Sequence, residues 1–354
     1  MKVKITSFFI LVSFYSSTGQ IPVGYYNPAN GLTGPALQNA LHTIIKNHNV
    51  VLYGNLYAAF DSTDIKSDGT VWDIYSDIPG GPQPYIYYNN TTWQCGSYNS
   101  EADCFNREHS WPQSWFNGIS PAYSDMFHIY PTDGWVNGKR SNYPYGEVTN
   151  PTYISLNGSK LGPNTTVGYN LTVFEPIDEY KGDLARGYFY MSTRYMGEDT
   201  LWSFSDAVNK SVIEPWQLCV LLSWHQQDPV SVKEINRNNG IYKWQNNRNP
   251  YIDHPEWVDS VFTCALVGIS PNEKAAAEIS VFPNPCSEKV TVTFQKIILN
   301  GKISLINSLG EEILTRYTNK NREINLNLTG FAKGLYVLSV YMPDRTIRKN
   351  LIVE

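Results

Sequence analysis

The chain has 354 residues, of which 42% are hydrophobic and 14% aromatic, with 25 Tyr and 10 Trp. That is enough for a sizeable core and, at about 150 residues per domain, for two or three domains. Residues 20–267 carry 14 Lys and Arg against 24 Asp and Glu, net −10, whereas residues 268–354 carry 11 against 8, net +3, and the first 19 residues add +2. The acidic central region excludes tight, charge-driven capture of nucleic acid over a broad surface. It does not exclude chemistry in which a metal ion and a few local cations hold one phosphate.

Taken in chain order, Met1-Lys-Val-Lys4 is a positive start, Phe8-Phe-Ile-Leu-Val-Ser-Phe14 a short apolar run, and Ser16-Ser-Thr-Gly-Gln20 a small-residue stretch suited to cleavage. This reads as a signal peptide over residues 1–19, with a buried strand as the alternative. The run is too short to span a bilayer, and no run of about 20 apolar residues follows. No Cys follows it, which argues against a lipoprotein anchor. The low charged fraction, 17%, also suits a secreted protein.

Next, Leu37, Ala40, Leu41, Ile44 and Ile45 form a helical stripe within residues 36–45. Cys95 and Cys104 flank a Gly, Asn and Ser stretch. With Cys219 and Cys264 they allow three pairings. Cys95–Cys104 is the favoured pair, ahead of Cys219–Cys264, with free buried thiols as the alternative. No C-x-x-C occurs, so a zinc site lacks support. Cys286 stands apart.

Arg107-Glu-His-Ser-Trp-Pro112 follows, and 16 residues after Glu108 comes Ser124-Asp-Met-Phe-His-Ile-Tyr-Pro131. A strand that turns into a helix near Pro131 would carry His128 at the junction. Beyond it, the spacing predicts helices over residues 182–195, with Asp183 near the start, and over 215–226, with Pro215 in the first helical position. Ser231-Val-Lys-Glu234 is a capping box opening a further helix to about Gln245. Loops rich in Asn, Pro and Gly separate these elements. Ser270-Pro-Asn-Glu-Lys-Ala-Ala-Ala-Glu278 is polar and small, and residues 268–278 read as a linker. Beyond it, alternation over 278–282, 290–294, 302–306, 323–328 and 335–341 predicts short strands of a small β-sandwich. With no His and no clustered carboxylates, it is expected to carry no chemistry.

One carboxylate and two imidazoles within a short stretch suit a single hard metal beside a general base. Phosphodiester hydrolysis needs a base to deprotonate water and positive charge to stabilise the crowded phosphate. A divalent cation supplies the second by Lewis acidity, and Mg²⁺ keeps several waters, so one or two protein ligands suffice. On an extended segment Glu108 and His109 point to opposite faces. The carboxylate then serves the metal and the imidazole, whose ordinary pKa is about 6.5, serves the water. A surface ion pair is the competing account of Glu108 and His109.

Arg107-Glu-His-Ser-Trp-Pro112, together with Asp125-Met-Phe-His-Ile-Tyr-Pro-Thr-Asp-Gly-Trp-Val-Asn-Gly-Lys-Arg-Ser-Asn142, resembles the endonuclease I family. So do Gly182-Asp-Leu-Ala-Arg-Gly-Tyr-Phe-Tyr-Met191, Trp224-His-Gln-Gln-Asp-Pro-Val230 and Asn246-Asn-Arg-Asn-Pro-Tyr-Ile-Asp-His-Pro255, in the same order, over most of residues 36–257. The resemblance implies an α+β fold in which a ββα-metal (His-Me finger) nuclease domain with surrounding helices spans residues 20–267. It implies cleavage of DNA and often RNA with little sequence preference. By position, His109 becomes the general base and Glu108 a metal ligand. His128 falls where the wider superfamily often has an Asn ligand, so it is expected as the second ligand, with orienting a ligand from behind as its alternative. The metal expected is Mg²⁺, with Mn²⁺ or Ca²⁺ as substitutes; an imidazole ligand favours Mn²⁺ more than Mg²⁺.

Arg140 and Arg248 are expected to touch the phosphate in the catalytic site, because an Arg fork matches phosphate oxygens. Lys139, Arg186 and Arg237 are weaker candidates of the same kind. Asp125 is a candidate orienter, and His225 and His254 are expected to be structural. Phe282-Pro-Asn-Pro285, Gly310, Gly334-Leu-Tyr-Val337 and Lys349-Asn-Leu-Ile-Val353 resemble a type IX secretion C-terminal sorting domain over residues 279–354. A carbohydrate-binding or adhesion module is its alternative. The expected partners are therefore DNA or RNA and the type IX machinery, for a monomer that is secreted or held at the cell surface. The rival to a nuclease is a catalytically silent binding module on the same fold, against which the retention of Glu108, His109 and His128 speaks. The absence of H-E-x-x-H and of any paired carboxylates leaves little room for a metalloprotease or glycosidase.

Overall fold

The computed structural model describes residues 21–264, 279–298, 301–307, 312–318, 320–341 and 346–354. The expected signal peptide and the 268–278 linker lie outside the described residues. The chain divides into two compact units, Met1–Ala265 and Leu266–Glu354.

The first unit is helical around a small β-hairpin. Helix α1 (Gly34–Ile45) buries Leu37, Leu41 and Ile45, three of the five stripe positions. Helix α2 (Leu56–Thr63) buries Leu56, Ala59 and Phe60. Strands β1 (Phe105–His109) and β2 (Ile129–Asp133) pair antiparallel, with Glu108 opposite Tyr130 and His109 opposite Ile129. Helix α3 (Gly134–Arg140) follows at once and packs on both strands. Asp133 caps α3 by accepting from Val136 N at 2.9 Å. The helix rests on the Tyr98 ring: a Cβ at Gly134 or at Gly138 would stand 2.6 Å from Tyr98 atoms, so both positions need a residue without one.

The strand-to-helix turn thus falls at Asp133, two residues past Pro131. His128 ends a 3₁₀ turn (Met126–His128) at the entry to β2 rather than sitting at the strand–helix junction. Pro131 is tolerated inside β2 because a two-stranded sheet leaves one edge without a partner.

Three short strands, β3 (Tyr153–Ile154), β4 (Lys160–Pro163) and β5 (Thr172–Glu175), form a second sheet in the order β3-β4-β5. Helix α4 (Lys181–Arg194) is the centre of the unit, and all 14 of its residues are buried. The apolar stripe read from sequence marks only part of it. Its polar side is internal too, held by Lys181–Glu175 at 3.0 Å, Lys233–Asp183 at 2.8 Å, Arg186–Glu234 at 2.5 Å and Arg194–His48 at 3.0 Å. A β-ribbon, β6 (Val208–Asn209) with β7 (Val212–Ile213), leads to helix α5 (Pro215–Gln227), which has Pro in its first turn. Helix α6 (Val232–Gln245) opens with the full Ser231/Glu234 capping box and ends at Asn246 in the left-handed conformation. Helices α7 (Pro250–Asp253) and α8 (Trp257–Val261) complete the unit. Disulfides join Cys95 to Cys104, just before β1, and Cys219 on α5 to Cys264, the favoured pairing.

The second unit is all β. Strands β8 (Ile279–Phe282), β9 (Lys289–Ile298), β10 (Gly301–Ile306), β11 (Glu312–Thr318), β12 (Asn321–Asn327), β13 (Gly334–Tyr341) and β14 (Thr346–Val353) form two sheets. Their orders are β11-β10-β13-β14 and β12-β9-β8. Val290, Val292 and Phe294 from one sheet share a core with Ile303, Leu305, Leu338 and Val340 from the other. Five of the seven strands carry the alternation read from sequence. Strand β11, at a sheet edge, buries only Thr318, so nothing imposes a period of two on it. Cys286 is a buried free thiol. No helix among the described residues is long and apolar enough to cross a membrane.

Candidate active site

Alternation along β1 sorts its side chains. Asn106 and Glu108 face α3, while Arg107 and His109 face the other way. On the helix side, Glu108 is buried, 3% exposed. Its Oε1 accepts from Arg140 Nη1 at 2.6 Å and from Tyr75 OH at 2.9 Å. Tyr75 OH in turn meets Tyr145 OH at 2.8 Å. Burial pushes the Glu108 carboxyl up to about 7 against the pull of Arg140 and Tyr75. This carboxylate would therefore gain from a nearby positive charge beyond the single guanidinium it has.

Arg140 is fully buried and ties the strand end to the helix. Its guanidinium also donates to the His109 carbonyl at 2.8 Å and to the Ser110 carbonyl, and it lies 4.5 Å over the Tyr145 ring. One turn earlier on α3, Asn137 Nδ2 donates to Asn106 Oδ1 at 2.7 Å. That bond leaves the Asn137 amide oxygen free on the same face as Glu108. Asn137 was not singled out in the sequence; its place one turn before Arg140 is the signal that would have found it.

On the opposite face, His109 Nε2 lies 3.0 Å from the Tyr123 carbonyl. A carbonyl only accepts, so Nε2 carries the proton and Nδ1 keeps the free lone pair. The ring lies parallel to those of Tyr53 (5.9 Å) and Tyr123 (5.5 Å), with Phe116 at 5.8 Å. Burial first, and then the neighbouring His128, depress the His109 pKa to about 3. The imidazole is neutral at any physiological pH.

His128 is fully buried, its ring 5.4 Å from that of His109. Its Nε2 donates to the Ala122 carbonyl at 2.7 Å, and its Nδ1 is sealed in without a partner. Burial lowers its pKa, with Asp125 opposing. Asp125 accepts from Tyr190 OH and Tyr195 OH, each at 2.9 Å, and from Gln245 Nε2 at 3.0 Å. It is a structural knot beneath the site.

The other arginines divide clearly. Arg248 does not join the group: it forks onto Asp253 at 2.6 and 2.7 Å and donates to Asn239. Arg186 is engaged by Glu234, and Arg237 by Asp64 at 2.8 Å and the Met126 and Ile129 carbonyls. Lys139 lies over the Trp135 ring. Among the described residues of this unit, Arg107 is the arginine without a carboxylate partner. Its guanidinium is held 3.8 Å over the Tyr53 ring and 4.5 Å over the Tyr57 ring, and Nη1 donates to the Tyr53 carbonyl at 2.8 Å. It shares the strand face of His109. The sequence marked it only as part of a motif, since nothing in sequence shows which cations are already neutralised. His225 is held by Arg186 and the Pro255 carbonyl, and His254 by Glu256 and the Trp257 ring.

Residues 33–256 match the Endonuclease I family, and residues 280–354 match the secretion system C-terminal sorting domain. The chain is similar to the extracellular ribonuclease of Bacillus amyloliquefaciens, 35% identical over 246 residues, or 67% of this chain and 78% of that protein. It is 34% identical to the extracellular ribonuclease of Bacillus subtilis (strain 168), with the same coverage. It is also 30% identical to Endonuclease-1 of Buchnera aphidicola subsp. Baizongia pistaciae (strain Bp) over 129 residues, 36% of this chain and 46% of that one.

Proposed function

The chain belongs to the endonuclease I family and ends in a secretion sorting domain, and on that premise we propose that this secreted endonuclease hydrolyses RNA and DNA without sequence preference through a ββα-metal (His-Me finger) site on β1, β2 and α3. The observation that carries this reading is the state of His109. Its Nε2–H is fixed on the Tyr123 carbonyl, which leaves the Nδ1 lone pair to take a proton.

Among the described residues, no group of three or more His, Cys, Asp and Glu forms a protein cage for a metal. Mg²⁺ keeps several waters and needs only one or two protein oxygens. Glu108 and Asn137 supply such oxygens, and the desolvated Glu108 carboxylate is the group that a dication would relieve. Asn137 takes the ligand role expected of His128, whose Nε2 is spent on Ala122 and whose Nδ1 has no room for a hydrated ion; Mn²⁺ remains a substitute. When bound, the ion supplies Lewis-acid stabilisation of the phosphate and the leaving oxygen.

The residues of the chain do the rest. His109 Nδ1 accepts the proton of the attacking water. Tyr123 and His128 hold the ring in place. Arg140 orients Glu108 and anchors the strand end instead of touching phosphate. Arg107, on the His109 face and free of carboxylates, is the arginine that meets a phosphate oxygen. Arg248 braces the loop before α7.

The test is plasmid nicking and degradation of total RNA with Mg²⁺, with and without EDTA, beside His109→Ala. The expected result is a loss of 10²- to 10⁴-fold in His109→Ala, roughly the contribution of a general base, and no cutting in EDTA. Persistent cutting by the alanine variant removes His109 as the base, and cutting in EDTA removes the metal.

A further inference from the structure

A groove of about 600 Å³ opens on the same unit as the proposed site. Its walls include Trp115, Asn142, Tyr143, Tyr169, Asn170 and Asp206, and no Lys or Arg is among the described residues that line it. It adjoins the centre along two stretches of chain. Arg140, which holds Glu108, is followed by the turn in which Tyr143 N donates to the Arg140 carbonyl at 3.1 Å, and that turn delivers Asn142 and Tyr143 to the groove. On the other wall, Trp115 precedes Phe116, whose ring touches that of His109. Tyr169 is not a loose surface ring: it stacks on Trp216 at 4.3 Å and 7°, with its hydroxyl on Asp206 at 3.2 Å.

We propose that this groove is a subsite for an unpaired nucleobase of the substrate strand, so that the enzyme engages single-stranded nucleic acid more tightly than duplex. The proposal rests on the nuclease reading of the neighbouring site. The lining selects the ligand. A cleft without a cation and with the Asp206 carboxylate repels phosphate, whereas ring faces and neutral amides suit a base. A base offers its face to a protein ring only when it leaves its own stack, which single strands permit and duplexes resist. A volume of about 600 Å³ holds a nucleoside or two and not a duplex.

The charge balance of the unit points the same way. Burial removes nine of its 24 acids and seven of its 14 bases, so the exposed remainder is still acidic. Counterion release at a basic surface is therefore unavailable as the main source of affinity. Stacking is insensitive to that charge.

The experiment uses the full chain in EDTA, so that nothing is cut. Fluorescence anisotropy of an end-labelled RNA octamer, single-stranded or annealed to its complement, is measured with wild type, Tyr143→Ala, Tyr169→Ala, the matching Phe variants and His109→Ala. Each Tyr→Ala change is expected to weaken single-strand binding by roughly 5- to 150-fold, the range of one base–aromatic stack. Binding of the annealed octamer should change by less than twofold. Tyr→Phe should retain affinity, because the ring face remains. His109→Ala should bind normally while failing to cut once Mg²⁺ is restored. Unchanged single-strand affinity in both Tyr→Ala variants overturns the subsite, as does equal weakening on duplex. A His109→Ala variant that still cuts overturns the catalytic assignment instead and leaves the binding result standing.

Discussion

The tail closes two sheets over Val290, Val292, Ile303, Leu305, Leu338 and Val340, and the buried polar side chains among its described residues are three hydroxyls, on Ser304, Thr318 and Ser339. The catalytic unit instead buries Lys181, Asp183, Arg186 and Arg194 on one helix and Glu108 and Arg140 between a strand and the next helix. Buried ion pairs contribute little net stability, because desolvation consumes most of the Coulombic gain. Their concentration around β1, α3 and α4 therefore marks where geometry, rather than stability, is being held. The described part of the tail buries no such pair.

The comparison breaks most readily at Arg140. Arg140→Ala leaves the Glu108 carboxylate buried without its guanidinium, which should cost about 3–5 kcal/mol and abolish cutting. Urea denaturation and plasmid nicking check both effects, and a variant of native stability would show that the pair does not hold the site together. The tail counterpart is Leu338→Ala, at a fully buried position. It should cost about 2–5 kcal/mol in the unfolding of the tail and leave specific activity unchanged. Calorimetry alongside RNA cleavage separates the two.

Arg107→Ala sharpens the picture, because this guanidinium has no carboxylate to abandon. Loss of a charged hydrogen bond to phosphate, about 1.5–3 kcal/mol, lowers kcat/KM by roughly 10- to 150-fold with little change in melting temperature. A destabilised variant would make it another structural arginine.

A further effect is pH-dependent. Asp73 is buried, its carboxyl pushed up to about 8 by burial and by the neighbouring Asp133. A folded value above the unfolded value of about 3.9 gives a stabilisation that is complete below about pH 3.9 and is lost as pH rises through about 8. Asp73→Asn, which mimics the protonated acid, should melt higher than wild type at pH 9 and nearly level with it at pH 3.5. Equal differences at the two pH values would show that Asp73 is ionised in the fold.

Much of the architecture was legible because local rules agree with the tertiary outcome. The Ser231/Glu234 capping box, Pro215 at a helix start and the stripe of α1 each depend on residues three or four apart. The alternation of β9 reports a single buried face. Strand β11 escaped because an edge strand has no such face to pattern it, and the polar side of α4 escaped because a buried charge looks like a solvated one until its partner is known. The same limit governs the site. Arg-Glu-His was visible as a motif, and the opposite facing of Glu108 and His109 follows from the strand's period of two.

The sequence by itself therefore determined the family, the two-part organisation and the short segment where chemistry is expected, since these rest on local order along the chain. Only the tertiary structure decided which arginines are paired with carboxylates. It took Arg140 and Arg248 as partners of Glu108 and Asp253, left Arg107 on the His109 face, and sealed His128 away while presenting Asn137. The physical reason is that neutralisation, burial and hydrogen-bond saturation are pairwise properties of residues far apart in the chain, 32 positions for Arg140 and Glu108 and 173 for Arg237 and Asp64.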